Sequence, residues 1–228
     1  MPAKADITSA LATALPIMLG YAAIGVPCGI LGASIGLSAL QAFLFSLLFY
    51  SGAGQFMLSN MWLAGSPLPS IVASIALVNT RQMLYSASLA PACRGESTPA
   101  AFLFAATVTD ESFGVNSAKF KEGGWSVRRG TLVNLFSQTS WSISNAAGVL
   151  LGDAIDMPLA IASFAMTSIF ICLLVTQRLS LDNAVAATAA MAGVVACKAL
   201  GLSGAAVLVG ALFGVACAMA ASRIRRRV

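Results

Sequence analysis

Three charged side chains stand inside apolar stretches of this sequence, and they are the residues best placed to do chemistry. Arg81 falls near the centre of residues 67–91, and Asp110 and Glu111 fall near the centre of residues 99–118. A charge at the centre of a helix in hydrocarbon costs about 2.5–3.5 kcal/mol on insertion scales. Both stretches reach the roughly 20 residues that a spanning helix needs. Two consecutive spans run antiparallel, so matching midpoints mean matching depth, and Arg81 is expected to meet one of the two carboxylates. Neighbours on a helix point about 100° apart, so the other carboxylate is left to face a solute or take up a proton. Asp110 is the expected partner of Arg81, with Thr107 at i−3 on the same helix face supporting its carboxylate. The plainer alternative is an ion pair that only locks two helices together. Apolar residues often do that job as well or better, and ionisable groups inside membranes mark pathways or relays. The chain has no His, so a proton relay would have to run through carboxylates.

These charges must be positioned by helices, and two stretches do not read as plain helix. Pro16, Gly20, Gly25, Pro27, Gly29, Gly32 and Gly36 punctuate residues 10–35, and Ser51-Gly52-Ala53-Gly54 punctuates residues 38–64. Proline frees a backbone carbonyl, and glycine weakens the helix or admits another backbone. Irregular backbone survives in hydrocarbon only where protein buries it or it lines a cavity. Both stretches are therefore expected to be broken helices at a binding site, although close packing through small residues accounts for any one glycine. Gln55 follows the second cluster, where its amide can hold a zwitterion, an unwound carbonyl or another helix. Lys198, near the end of a later apolar run, can snorkel to the surface.

The composition explains why charges are so conspicuous here. The 228 residues are 58% hydrophobic and 9% charged, with a mean hydropathy of +0.88, whereas soluble domains carry about 25% charged residues. Eight apolar runs emerge, at residues 10–35, 38–64, 67–91, 99–118, 130–152, 157–177, 183–200 and 203–221. The expected fold is all-α: a polytopic integral membrane protein of one transmembrane domain over residues 1–228, with about eight transmembrane helices. The seventh run is short, and either spans or forms half of a re-entrant hairpin with the eighth. The first run is too long for the apolar part of a signal peptide and is read as a helix that is not cleaved.

Basic residues set the expected orientation. With Lys4 in the cytoplasm, Lys119, Lys121, Arg128 and Arg129 in one loop, Arg178, and Arg223, Arg225, Arg226 and Arg227 at the end all fall inside. Arg94 and Glu96, then Asp153 and Asp156, fall outside. Both termini are expected in the cytoplasm, and the basic tail is read as a topology signal with no nucleic-acid partner. Cys28, Cys93, Cys172, Cys197 and Cys217 are scattered singly, four of them in apolar runs. Without a CxxC or a His they are packing residues, and no metal site or cofactor is expected. Gly29-Ile30-Leu31-Gly32 and Gly148-Val149-Leu150-Leu151-Gly152 form a faint internal echo. A four-plus-four repeat would give the first and fifth runs the same orientation.

Three stretches in order resemble the AzlC family of membrane proteins. Ser51-Gly52-Ala53-Gly54-Gln55-Phe56 is similar to its SGAAQF-like stretch. Val78-Asn79-Thr80-Arg81-Gln82 with Leu84-Tyr85-Ser86 is similar to VNLRH-x-LYS, and Thr109-Asp110-Glu111-Ser112-Phe113 to TDE-x-F. The resemblance covers most of the chain and is strongest over residues 10–115. It implies a branched-chain amino acid exporter or permease of the bacterial cytoplasmic membrane, with a small AzlD-type membrane protein of about four helices as partner. The sequence departs from the pattern at Gln82, where the family has His, and at Thr80, where it has an apolar residue. The candidate substrate-binding or coupling residues are Ser51, Gly52, Gly54, Gln55, Asn79, Arg81, Asp110 and Glu111.

The leading expectation is a secondary transporter that exports small aliphatic amino acids, with a zwitterion bound near mid-membrane. Its carboxylate would meet Arg81 or a broken-helix N-terminus, and its amine Asp110 or Glu111. No Walker A sequence appears, so the chain itself is not expected to be an ATPase. An intramembrane Ser–His protease needs a His, and an aspartyl protease needs two central Asp residues where this chain has Asp110. The remaining alternative is a channel or a non-transporting subunit of a larger permease.

Overall fold

The computed structural model describes residues 2–152, 154, 158–176, 180–201 and 206–225, and every regular element among them is helical. Among the described residues the eight runs become ten α-helices, because the second and fourth runs are each cut in two. In order they are α1 Pro2–Ser34, α2 Ala39–Leu48, α3 Gly52–Leu63, α4 Leu68–Leu89, α5 Thr98–Ala106, α6 Asp110–Glu122, α7 Val127–Gly152, α8 Leu159–Thr176, α9 Leu181–Ala199 and α10 Ala206–Arg225. A 3-10 turn, Ala90–Cys93, follows α4. Among the described residues, α1 over Lys4–Ser34 is the helix long and apolar enough by length and composition to cross a bilayer. The cuts leave α2, α3, α5 and α6 with 10, 12, 9 and 13 residues, each short of the roughly 20 needed. The all-helical class agrees with expectation, but the count of eight spans is not met helix by helix.

The chain divides into two compact units, one of residues 1–66 and 78–167, the other of residues 67–77 and 168–228. The first is organised around α1 and α7, which lie side by side and parallel. Asp6 meets Arg129 at 2.6 Å, the Ser140 hydroxyl donates to the Met18 carbonyl at 2.9 Å, and Gly29 faces Gly148. The expected break in the first run does not occur. α1 is continuous through Pro16 and Pro27, and Gly25 and Gly29 serve contact instead. A Cβ on Gly25 would come within 2.7 Å of Ser144, and one on Gly29 would strike the Asn145 carbonyl. The echo between residues 29–32 and 148–152 thus has a packing reason, since its two copies adjoin. The second unit holds α9 and α10, an antiparallel hairpin in which Gly193 faces Gly210 and Gly214 faces Ala190. Asp182 and Arg225 join the open ends at 2.7 Å. At 19 and 20 residues the two helices match, so α9 is no half-length element.

The basic segment 119–129 is mostly helix end. Lys119 and Lys121 lie in the last turn of α6, where the helix dipole favours cations, and Arg128 and Arg129 open α7. Arg129 stands at the unfavourable end of the α7 dipole and is neutralised by Asp6. Lys198 is exposed in the last turn of α9. Asp153, Asp156, Arg178, Arg226, Arg227 and the side chain of Cys172 lie outside the described residues.

Candidate functional site: two helix breaks held by one strut

A helix cut in its middle leaves carbonyls and amides without intrahelical partners. In hydrocarbon each such group costs several kcal/mol unless protein satisfies it. Side-chain amides and hydroxyls do so at both cuts. At the first, residues 49–51, the Phe49 carbonyl accepts from Gln55 Nε2 at 2.7 Å and the Tyr50 carbonyl from Gln82 Nε2 at 3.2 Å. The Leu47 carbonyl accepts from Gln138 Nε2 at 2.8 Å. At the second, residues 107–109, the Ala105 carbonyl accepts from the Ser86 hydroxyl at 2.8 Å and the Phe104 carbonyl from Asn134 Nδ2 at 3.3 Å.

Each cut is followed by a capped half-helix. Ser51 caps α3, its hydroxyl accepting from the Gly54 amide at 3.1 Å and donating to Asn79 Oδ1 at 2.6 Å. The glycines of this motif make room: a Cβ on Gly52 would lie 3.1 Å from the Trp141 ring, and one on Gly54 only 2.7 Å from the Phe49 ring. Thr109 caps α6, with its amide bonded by the Ser112 hydroxyl at 2.9 Å. Gln55 is committed to protein on both sides of its amide. Its Oε1 accepts from Trp141 Nε1 at 3.1 Å and the Ser46 hydroxyl at 3.2 Å. The cavity beside it, lined by Cys28, Gly32, Phe45, Ser46 and Asn145, has a volume of about 10 Å³. That is room for about one water and none for an amino acid.

α4 connects the two cuts. Asn79, Gln82 and Ser86 follow i, i+3, i+7 along one stripe and bond Ser51, the Tyr50 carbonyl and the Ala105 carbonyl. Arg81 and Tyr85, four apart on the adjoining stripe, both reach Asp110. The guanidinium lies 3.0 Å from Asp110 Oδ2, and the Tyr85 hydroxyl donates to Oδ1 at 2.7 Å. The pair is half-buried, with 24% and 19% of the two side chains exposed. The Tyr85 ring stacks on Phe113 at 4.6 Å and so is held in place.

Glu111 turns the other way. Its Oε2 accepts from the Tyr21 hydroxyl of α1 at 2.6 Å, and the same hydroxyl lies 2.9 Å from Thr109 Oγ1. The Tyr21 ring meets Trp141 edge-on at 5.3 Å and Tyr50 at 6.3 Å. Two expectations need correcting. The carboxylates do not sit at a helix centre but are the first two residues of α6. That explains why adjacent negative charges are tolerated, since a helix N-terminus favours anions by about 0.3–1 kcal/mol each. Thr107 does not support Asp110, because the cut places it before the helix. Its hydroxyl donates to the Leu103 carbonyl at 2.7 Å and receives Asn134 Nδ2 at 3.1 Å.

Behind the second cut runs a polar chain that sequence reasoning missed. Trp125 Nε1 donates to Asn116 Oδ1 at 3.1 Å, Asn116 Nδ2 to Asn134 Oδ1 at 3.0 Å, and Asn134 to Thr107 and the Phe104 carbonyl. Asn116 and Asn134 are completely buried. Asn134→Leu would orphan the buried Asn116 Nδ2, at about 1–3 kcal/mol, and remove one of the bonds to the Phe104 carbonyl. A fall in thermal midpoint of several degrees in detergent is the expected result, with Asn134→Asp failing too because it supplies no donor. Unchanged melting in Asn134→Leu would show that the cut holds itself. Asn134, Gln138, Trp141 and Asn145 recur at four, three and four residues in an apolar run. That stripe was the available signal, and all four are buried. Tyr85 stood in the Leu84-Tyr85-Ser86 stretch, and Tyr21 carried no such signal.

Residues 16–155 match the family model described as AzlC protein, a span that takes in most of α1, both cuts, α4 and α7. The chain is similar to the branched-chain amino acid transport protein AzlC of Bacillus subtilis (strain 168), 27% identical over 76% of this chain and 68% of the relative. It is 30% identical to a membrane protein of Helicobacter pylori (strain J99), over 86% of this chain and 87% of that one. It is 27% identical to the inner membrane protein YgaZ of Escherichia coli (strain K12), over 85% and 83%. No solved structure shows significant similarity to it. With the family match covering more than half its length, the chain belongs to the AzlC family.

Proposed function

We propose that this protein is a secondary transporter that exports small aliphatic amino acids, branched-chain ones among them, across the bacterial cytoplasmic membrane. The observation that carries this reading is the half-buried Arg81–Asp110 pair at the start of a broken helix. A zwitterion suits such a pair better than other small solutes. Its carboxylate takes Arg81 and its ammonium takes Asp110, so every charge is compensated before and after binding, and little extra desolvation is incurred. Arg offers a planar fork to a carboxylate, and the α6 N-terminus adds a positive dipole. Ser51, Gly52, Gly54, Gln55 and Asn79 hold the facing break. The name of the Bacillus subtilis relative supports the substrate class.

In this reading α2 with α3 forms one span and α5 with α6 another, so that about eight spans cross the bilayer. The parallel α1 and α7 support one shared side for the N-terminus and the segment before α7, and the basic residues there support the cytoplasm. An AzlD-type small membrane protein is the proposed partner. The test is counterflow in proteoliposomes. Unlabelled leucine placed outside is expected to accelerate efflux of labelled leucine several-fold, because an exchanger returns loaded. Efflux indifferent to external leucine would favour a channel. No flux without a second protein, and flux with it, would make this chain a subunit that does not transport alone.

A further inference from the structure

We propose that Glu111 is a proton-binding site, distinct from the Arg81–Asp110 pair, and that the coupling ion of transport is therefore the proton. The proposal deepens the transport reading and rests on it for its link to flux, but the proton site itself rests on hydrogen-bond geometry.

Asp110 and Glu111 are neighbours with opposite surroundings. Asp110 faces Arg81, whose guanidinium can only donate. A proton on Asp110 Oδ2 would meet a donor and lose the ion pair. Glu111 faces the Tyr21 hydroxyl, which both donates and accepts. With Glu111 charged, Tyr21 donates to Oε2 and Thr109 donates to the Tyr21 oxygen. With a proton on Oε2, the carboxyl donates to the Tyr21 oxygen, and Tyr21 turns its own proton to Thr109 Oγ1. The Thr109 hydroxyl then turns to Ser112 Oγ, 3.3 Å away. The Tyr21–Thr109 contact permits either direction of donation. One set of heavy atoms thus satisfies both states of Glu111, with each proton moved by rotation of a hydroxyl and none left without an acceptor. A carboxylate meant to stay charged needs only donors, as Asp110 has.

A second observation marks the same place. The Tyr50 hydroxyl is buried at the first break, beside the Tyr21 and Thr109 hydroxyls of the relay. It offers lone pairs to whichever hydroxyl turns. The titratable groups near Glu111 are Tyr21 from α1, Tyr50 from the first break, Tyr85 from α4, and Asp110 beside it, which holds Arg81. From α7, which packs on α6, Asn134 brings no charge.

The test is infrared difference spectroscopy of the reconstituted chain between alkaline and acid pH, read at the carbonyl stretch of protonated carboxyl groups. Wild type is expected to gain, beside the bands of its exposed carboxyls, one further band of strongly hydrogen-bonded carboxyl as pH falls. Glu111→Gln is expected to lose it, and Asp110→Asn to keep it. Tyr21→Phe, which preserves ring packing, is expected to move the band to the higher frequency of a carboxyl with a weaker partner. If that further band persists in Glu111→Gln, or Tyr21→Phe leaves it unmoved, the proposal is overturned. Should Glu111→Gln not assemble, the Tyr21→Phe shift decides alone. None of these readouts uses a substrate, so they can succeed where leucine counterflow fails. In flux, Glu111→Gln is expected to lose at least tenfold of the response to an imposed pH gradient. A full response to the gradient would refute the coupling.

Discussion

Replacing Arg81 with Ala is expected to lower substrate flux by about a hundredfold, the equivalent of about 3 kcal/mol in the transport barrier. The guanidinium is 3.0 Å from Asp110 and half-buried, and breaking a buried pair by deleting one partner costs about 3–5 kcal/mol when burial is complete. Partial exposure puts this pair toward the lower figure. Arg81→Ala leaves the Asp110 carboxylate with the Tyr85 hydroxyl, so abundance should fall as well as flux. Arg81→Lys keeps the charge and loses the planar fork, so abundance should recover and flux should not. The double variant Arg81→Met with Asp110→Asn separates the roles. It carries no stranded charge, and neutral replacement of an ion pair is often tolerated. It should therefore reach the membrane at near-normal levels and still not transport. Flux restored in the double variant would reduce the pair to a helix lock.

Placing a single methyl at Gly29 or Gly148 is expected to be the most damaging conservative change to the fold. A Cβ at Gly29 would strike the Asn145 carbonyl, and one at Gly148 the Val26 carbonyl. Backbone cannot rotate aside as a side chain can, so α1 and α7 would have to separate. Overpacking of this kind costs about 1–3 kcal/mol and occasionally more, and here it strikes the parallel pair that positions Tyr21, Gln138 and Trp141. Gly29→Ala and Gly148→Ala should each greatly reduce the fraction recovered as a monodisperse peak on size-exclusion chromatography. Gly20 and Gly114 are the controls, for nothing lies within 4 Å of a Cβ at either. Alanine there should be neutral or slightly stabilising, since Gly in a helix costs about 0.5–1 kcal/mol relative to Ala. Equal recovery of Gly29→Ala and Gly20→Ala would show that the close crossing is not needed.

Much of the site was legible in residue types. The charges inside apolar runs and the motif order led to Arg81, Asp110 and Glu111, because a charge in hydrocarbon is costly enough to need a reason. The all-helical class followed from composition. The break at Ser51-Gly52-Ala53-Gly54 was readable because glycine weakens a helix and admits another backbone. The cut at residues 107–109 was not readable, because Thr107-Val108-Thr109 contains neither Gly nor Pro. Helix propensity differs by less than about 1 kcal/mol among such residues. What opens the chain there is Asn134 bonding the Phe104 carbonyl and Ser86 bonding the Ala105 carbonyl, partners 30 and 19 residues away. The opposite error at α1 has the same origin. Its glycines and prolines signal weakness locally, yet α7 packs against that face and the helix runs through. Residue types alone dictate that charges be compensated within helices. Long-range packing settles which helix breaks, which carboxylate meets Arg81, and that Tyr21, 90 residues before Glu111, holds the other. Those choices depend on side chains far apart in the chain competing for the same backbone and the same carboxylates, and no local pattern records that competition.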